Sequence, residues 1–149
     1  MNLVRGEGVW LWDADGRKYL DCYNNVPHVG HCHPHVLEAV RNQSEALQHA
    51  STIYLHPNIA EFGRALASKM PGDLKVCYFV NSGSEATMDA IRIARGATGR
   101  DTIVKIFGSY HGHHDYVMVS LGVDYAAIGD RFDLQSIPYG LGIPQVVAD

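Results

Sequence analysis

Phe79-Val80-Asn81-Ser82-Gly83-Ser84-Glu85-Ala86 decides how this chain is read. An apolar run, Val76 to Val80, has the look of a buried strand and passes through a small polar turn into a helix. Ser82 and Glu85 have the S-x-x-E spacing of a capping box, which satisfies orphan amide donors in a first helical turn. Gly83 removes the side chain where a ligand would come close, and Ser84 adds a hydroxyl. A strand, a Gly/Ser turn and a helix N-terminus in that order make an anion site, since free N–H groups and the helix dipole converge there. The expected ligand is a phosphate ester.

Working outward, the helix is expected over Glu85–Thr98, stopped by Gly99, and Thr102–Phe107 reads as a second strand rich in β-branched residues. Together they predict a βαβ unit with parallel strands. A second polar turn follows, Gly108-Ser109-Tyr110-His111-Gly112-His113-His114. Both turns fall at strand carboxyl ends, where open α/β sheets bind ligands. Two strands cannot cover both faces of a parallel sheet, so a larger assembly of elements is expected around them. Upstream, residues 8–21 predict a hairpin in which Val9–Trp12 and Arg17–Leu20 flank the turn Asp13-Ala14-Asp15-Gly16. A loop rich in Asn, His and Gly covers 22–33. Pro34 opens a helix carrying Val36, Leu37, Val40 and Leu47, and Pro57 opens another carrying Ile59, Phe62, Leu66 and Met70, closed by Pro71-Gly72. From Val123 onward the pattern is poor, broken by Pro138, Gly140, Gly142 and Pro144. The organisation expected is a hairpin-and-loop segment over 1–33, a helical connection over 34–72, and the incomplete start of a large α/β domain over 73–149.

The 149 residues suffice for a domain with a core, and 46% hydrophobic with 19% charged residues is an ordinary globular balance. A net charge of −4 without a basic block argues against nucleic acid and anionic membranes. No apolar run has the length of a membrane span, and no signal-peptide core follows the first residues, so a cytoplasmic location is expected. Three cysteines, Cys22, Cys32 and Cys77, without C-x-x-C spacing fit reduced thiols.

Val80-Asn81-Ser82-Gly83-Ser84-Glu85-Ala86 taken with Tyr110-His111-Gly112-His113 is similar to the class III aminotransferases, pyridoxal-phosphate (PLP) enzymes of fold type I. Gly8, Asp13-Ala14-Asp15-Gly16, Tyr19-Leu20-Asp21 and Gly30-His31-Cys32-His33-Pro34 follow the same family in order and spacing. Asn24-Asn25-Val26 through Gly30-His31 resembles the ethanolamine-phosphate phospho-lyase branch, and the region after His113 resembles glutamate-1-semialdehyde aminomutase. The resemblance implies an α/β chain, the N-terminal part of a fold type I transferase, with a hairpin and helices leading into a mainly parallel sheet. It implies PLP as cofactor, with Ser82, Gly83 and Ser84 at its phosphate. Tyr110 would stack on the pyridine ring, a role offset stacking makes sensible. His111 would hold the turn or contact the cofactor, and Glu85 would support the site. The loop Asn24–Val29 falls where the family shapes substrate access. An amino substrate, a keto acid and a homodimeric parent are implied as partners.

The family also uses a Schiff-base lysine and an aspartate at the pyridine nitrogen, both well downstream of the matched region. The lysines here are Lys18, Lys69, Lys75 and Lys105, none in that context, so no catalytic residue is assigned. The expectation is an amino-terminal portion of a larger enzyme, unable to catalyse transamination alone. A competing reading is a non-catalytic phosphate- or PLP-binding or assembly module. A third is a zinc hydrolase, drawn from His111, His113, His114 and Asp115 or from His31, Cys32, His33 and His35, but the spacings suit turns better than ligands and no metal is expected. Asp13 and Asp15 lack the loop length of an EF-hand and read as a turn. Trp10 and Trp12 share one side of an alternating strand and suggest packing or a subunit contact.

Overall fold

The computed structural model describes residues 1–23, 25–122 and 125–148. Asn24, where the loop expected to shape substrate access begins, and Val123, where the weakly patterned tail begins, lie outside the described residues. The chain forms two compact units, Met1–Phe62 and Gly63–Asp149.

The first unit opens with an antiparallel sheet in the order β1 (Leu3–Glu7), β2 (Trp10–Asp13), β3 (Lys18–Leu20). The hairpin is as expected, with Trp10 opposite Leu20, Leu11 opposite Tyr19 and Trp12 opposite Lys18. Its turn is held by Asp13, one of the few buried polar residues among those described. Asp13 Oδ1 accepts from the Asp15 and Arg17 amides at 3.0 and 2.9 Å, and Oδ2 accepts from the Tyr19 hydroxyl at 2.6 Å. Gly16 takes φ +82°, the left-handed conformation such a turn requires. These donors hold the Asp13 carboxyl below its ordinary range, the Tyr19 hydroxyl first, although burial works the other way. β1 is an additional strand, recruited by pairing with β2. Trp10 and Trp12 do share a face, and cations cover them: Lys18 Nζ lies 3.9 Å from the Trp10 ring centre, and the Arg5 guanidinium 4.4 Å from that of Trp12.

The loop after β3 is tied back onto this sheet. Gly8 and His31 exchange backbone bonds at 2.9 and 2.8 Å, and His31 Nε2 meets Asp21 Oδ2 at 2.7 Å. Asn25 Nδ2 donates to both Asp21 oxygens at 2.7 Å. A Cβ on Gly6 would sit 2.8 Å from His31 Cγ, so the side chain packs against bare backbone. His31 thus organises the turn before Pro34.

Helix α1 (Pro34–Ala46) begins with proline in its first turn, where the missing N–H costs nothing. At its other end the Leu47 amide donates to the Gln43 carbonyl, while Gln43 Nε2 donates to Leu47 O at 2.7 Å. Gln43 Oε1 in turn accepts from Asn58 Nδ2 at 2.8 Å. Helix α2 (Pro57–Ala67) carries the chain from the first unit into the second. The apolar stripe Val36, Leu37, Val40 of α1 is exposed.

The second unit is built on α3 (Gly83–Thr98), which begins earlier than the expected Glu85. Among the described residues, the buried ones of this unit lie further on, in Gly112 and in Val117, Met118, Val119, Ser120 and Leu121. That segment is stitched on two sides. Gly108 N donates to Ser120 O at 2.9 Å, while Ser120 N donates to Ile137 O and Tyr139 N to Met118 O. Val119 bridges Pro138. A short hairpin, β4 (Gly129–Asp130) with β5 (Asp133–Leu134), lies between.

The expected parallel pairing is a correction. Val76–Val80 and Thr102–Phe107 run without ladder partners among the described residues, and Val76, Val104 and Ile106 are largely exposed. A crossover can put two strands in one sheet without making them neighbours, and each then needs partners supplied from elsewhere.

Candidate functional site

Ser82 takes the extended conformation of an N-cap, φ −152° and ψ 160°, and its Oγ accepts from the Glu85 amide at 3.2 Å. The expected reciprocal bond is displaced by one residue. Glu85 Oε2 accepts from the Asn81 amide at 2.6 Å, upstream of the cap, and so fixes the turn leading into the helix. Gly83 and Ser84 are the first two helical residues, whose N–H groups have no intrahelical partner. A Cβ built on Gly83 would meet nothing within 4 Å, so the space beside these donors is open. The helix ends as it should on Gly99, left-handed at φ 66°, its amide bonded to Arg95 O at 2.8 Å.

The second turn folds directly onto the first. Ser84 Oγ accepts from the His113 amide at 2.8 Å. Gly112 is buried and its φ is +108°; a Cβ there would fall 2.7 Å from Ser84 Cα and 2.9 Å from Ser84 Oγ. Only glycine allows this approach. Thr87 Oγ1 donates to His111 O at 2.7 Å and lies 3.3 Å from His114 Nε2. Two turns separated by more than twenty residues are thereby joined into one surface.

All five residues singled out from the sequence lie in this second unit; Ser82, Ser84 and His111 belong to the joined turns through the bonds above, and Gly83 stands between the two serines. His111 enters through its carbonyl, its side chain being exposed. Tyr110 is 66% exposed. Ser84 already spends one lone pair on His113, which leaves its hydrogen free to donate outward. Open space at Gly83, two unpaired helix amides and that hydroxyl hydrogen fit a phosphate group.

Sequence reasoning did not single out Thr87, and it placed His114 only in the polar turn and the disfavoured zinc cluster; the structure leaves His114 half-buried. Burial pushes the His114 imidazole below its ordinary pKa, opposed by Asp115 nearby. Of the four lysines, Lys18 covers Trp10, Lys75 pairs with Asp73 at 3.0 Å, and Lys105 Nζ donates to Ile106 O at 3.3 Å, with burial lowering its pKa. Among the described residues no group of three His, Cys, Asp or Glu side chains could hold a metal ion, and no helix is long and apolar enough to cross a membrane.

Comparison with known proteins supplies the context. The family model of the class III aminotransferases matches residues 1–135. An alanine–glyoxylate aminotransferase 2-like protein of Drosophila melanogaster is 46% identical over 118 residues, 79% of this chain and 24% of that protein. A glutamate-1-semialdehyde 2,1-aminomutase of Thermomicrobium roseum is 45% identical over 129 residues, 85% of this chain and 29% of its own length. Among solved structures, a phospholyase from Arthrobacter in complex with phosphoethanolamine superposes with a TM-score of 0.77 at 40% identity, over 94% of this chain and 31% of that one. A transaminase solved with PLP bound gives a TM-score of 0.80 at 29% identity, over 99% of this chain and 32% of the other. The chain spans about a quarter of the length of the curated relatives it matches.

Proposed function

Since the chain belongs to the class III aminotransferase family, we propose that its joined turns form the cofactor-phosphate and ring-holding part of a PLP-dependent enzyme acting on an amino substrate. The observation that carries this is the approach of Gly112 onto Ser84, which puts the Tyr110 turn beside the free amides of α3. PLP bound there would act as an electron sink for the substrate carbon. The residues of this chain would bind and orient it. The Gly83 and Ser84 amides and the Ser84 hydroxyl would hold the phosphate, with the dipole of α3 behind them. Ser82 keeps the helix start in register, and Glu85 fixes the approach of Asn81. Tyr110 would supply the aromatic face for the ring, and His111 secures the turn through its carbonyl.

The whole protein is proposed as a homodimeric, cytoplasmic enzyme with a keto acid as the second partner, its catalytic lysine supplied outside these 149 residues. Residues 73–149 are the start of its large domain. Aminotransferase, aminomutase and phospho-lyase chemistries use this half of the site alike. A non-catalytic phosphate- or PLP-binding or assembly module is the second reading, which rests on the anion turn at the head of α3 and on none of Lys18, Lys69, Lys75 and Lys105 standing in the family's lysine context.

Equilibrium binding of PLP to the full-length protein tests the proposal. Ser84→Ala is expected to weaken binding about tenfold, the loss of one bond to a charged group. Unchanged affinity in that variant, with Tyr110→Ala also neutral, would exclude this surface as the cofactor site. A full-length protein that binds PLP but converts no amino substrate would favour the module reading.

A further inference from the structure

Thr87 Oγ1 has three carbonyl oxygens within reach: Gly83 O at 3.0 Å, Ser84 O at 3.1 Å and His111 O at 2.7 Å. A hydroxyl carries one hydrogen and two lone pairs. Threonine within a helix ordinarily turns that hydrogen back to a carbonyl three or four residues earlier. Here the shortest contact leads out of the helix, at the length favoured by O–H···O bonds, so the hydrogen belongs to His111 O. The lone pairs then face His114 Nε2 at 3.3 Å, and only a donor can fill that place. An Nε2–H tautomer of His114 satisfies that place.

This arrangement pins both peptide groups flanking Gly112. The carbonyl of His111 is held by Thr87, and the amide of His113 is held by Ser84. Gly112 between them rests on Ser84 Cα with no room for a side chain. A turn fixed on both sides of its pivot cannot slide along α3, and the residue entering it, Tyr110, is delivered to one place. We propose that Thr87 is a positioning residue for Tyr110, acting through the His111 carbonyl and held in orientation by the Nε2–H of His114. The proposal rests on the reading of Tyr110 as the ring-holding aromatic, but the lock itself is visible without any ligand.

The test uses the full-length protein without and with PLP. Thr87→Val keeps the shape and removes the hydroxyl; Thr87→Ser restores it. Without cofactor, amide exchange over residues 110–114 is expected to accelerate about tenfold in T87V, while T87S stays within about twofold of the parent. With cofactor, PLP affinity is expected to fall about tenfold in T87V and to recover in T87S. Nitrogen NMR of His114 is expected to show the Nε2–H tautomer in the parent and a mixed population in T87V. Should T87V fail to fold, His114→Phe and His114→Gln replace it, glutamine keeping a donor that phenylalanine lacks. Parent-like exchange in T87V, an Nδ1–H tautomer at His114, or no rescue by T87S would each overturn the proposal. A loosened turn in T87V with PLP affinity unchanged, and Tyr110→Ala equally without effect, would keep the lock and remove the ring-holding reading beneath it.

Discussion

Gly112 rests against Ser84 so closely that a single added carbon would fall 2.7 Å from the serine Cα. Two constraints coincide at this glycine, the close approach and a φ of +108°. Gly112→Ala is therefore expected to destabilise the second unit by about 1–3 kcal/mol. Denaturant unfolding would measure it, and exchange at the His113 amide should rise in parallel. An alanine variant as stable as the parent would mean that the turn has room to retreat.

At the head of α3, Ser82 and Ser84 have separable duties. Ser82 Oγ caps the helix, and Ser84 Oγ anchors the second turn. Ser82→Ala is expected to lower stability by about 1 kcal/mol through the lost cap. Ser82→Asp should restore it, since aspartate caps as well and favours the positive end of the dipole. Thermal melting of the three proteins would check the order.

Gly99 closes the same helix at φ 66° with open space around its Cα. Gly99→Ala meets no clash there, so only the left-handed backbone is penalised, about 1 kcal/mol. Gly99→Asn should cost less than alanine, because asparagine tolerates that region better. Urea midpoints for the pair would decide.

The pH dependence of the first unit follows from Asp13 and Asp21. Both carboxyls are held below their ordinary values, Asp13 first by the Tyr19 hydroxyl, Asp21 first by His31 and then by Asn25. A carboxyl depressed on folding contributes stability above its unfolded pKa, and that stability is lost as pH falls through the folded value. The first unit should thus hold its stability from neutral pH down to the ordinary carboxylate range near pH 4 and lose it below. Tyr19→Phe and His31→Phe are each expected to flatten the acid limb of a Tm-against-pH curve, and an unaltered limb in both would show that these pairs carry none of the dependence.

The helices were legible because their ends are chemically marked: Pro34 and Pro57 at starts, Ser82 at a cap, Gly99 at a stop. The hairpin was legible because Asp13 and Gly16 announce its turn. β1 was not, since Leu3–Glu7 alternates weakly and becomes a strand only by pairing with β2. The apolar run Val117–Leu121 was passed over because no turn or period marks its partners, which are the distant backbones of Gly108 and Ile137 to Tyr139. Val76–Val80 shows the converse. Its composition is that of a buried strand, but composition does not name a neighbour. In the site, the phosphate turn was readable from local order alone. Thr87 was not, because its role depends on a carbonyl twenty-four residues away.

Both tryptophans of the chain, Trp10 and Trp12, sit in β2 beneath Lys18 and Arg5. The indole fluorescence of these 149 residues thus comes from one strand of one unit, with a cation over each ring. A spectrum excited at the indole band reads the opening of the N-terminal sheet and is silent on the cofactor turns. Placing a third indole at Tyr110 would give the second unit a colour of its own, and the two halves could then be watched melting separately.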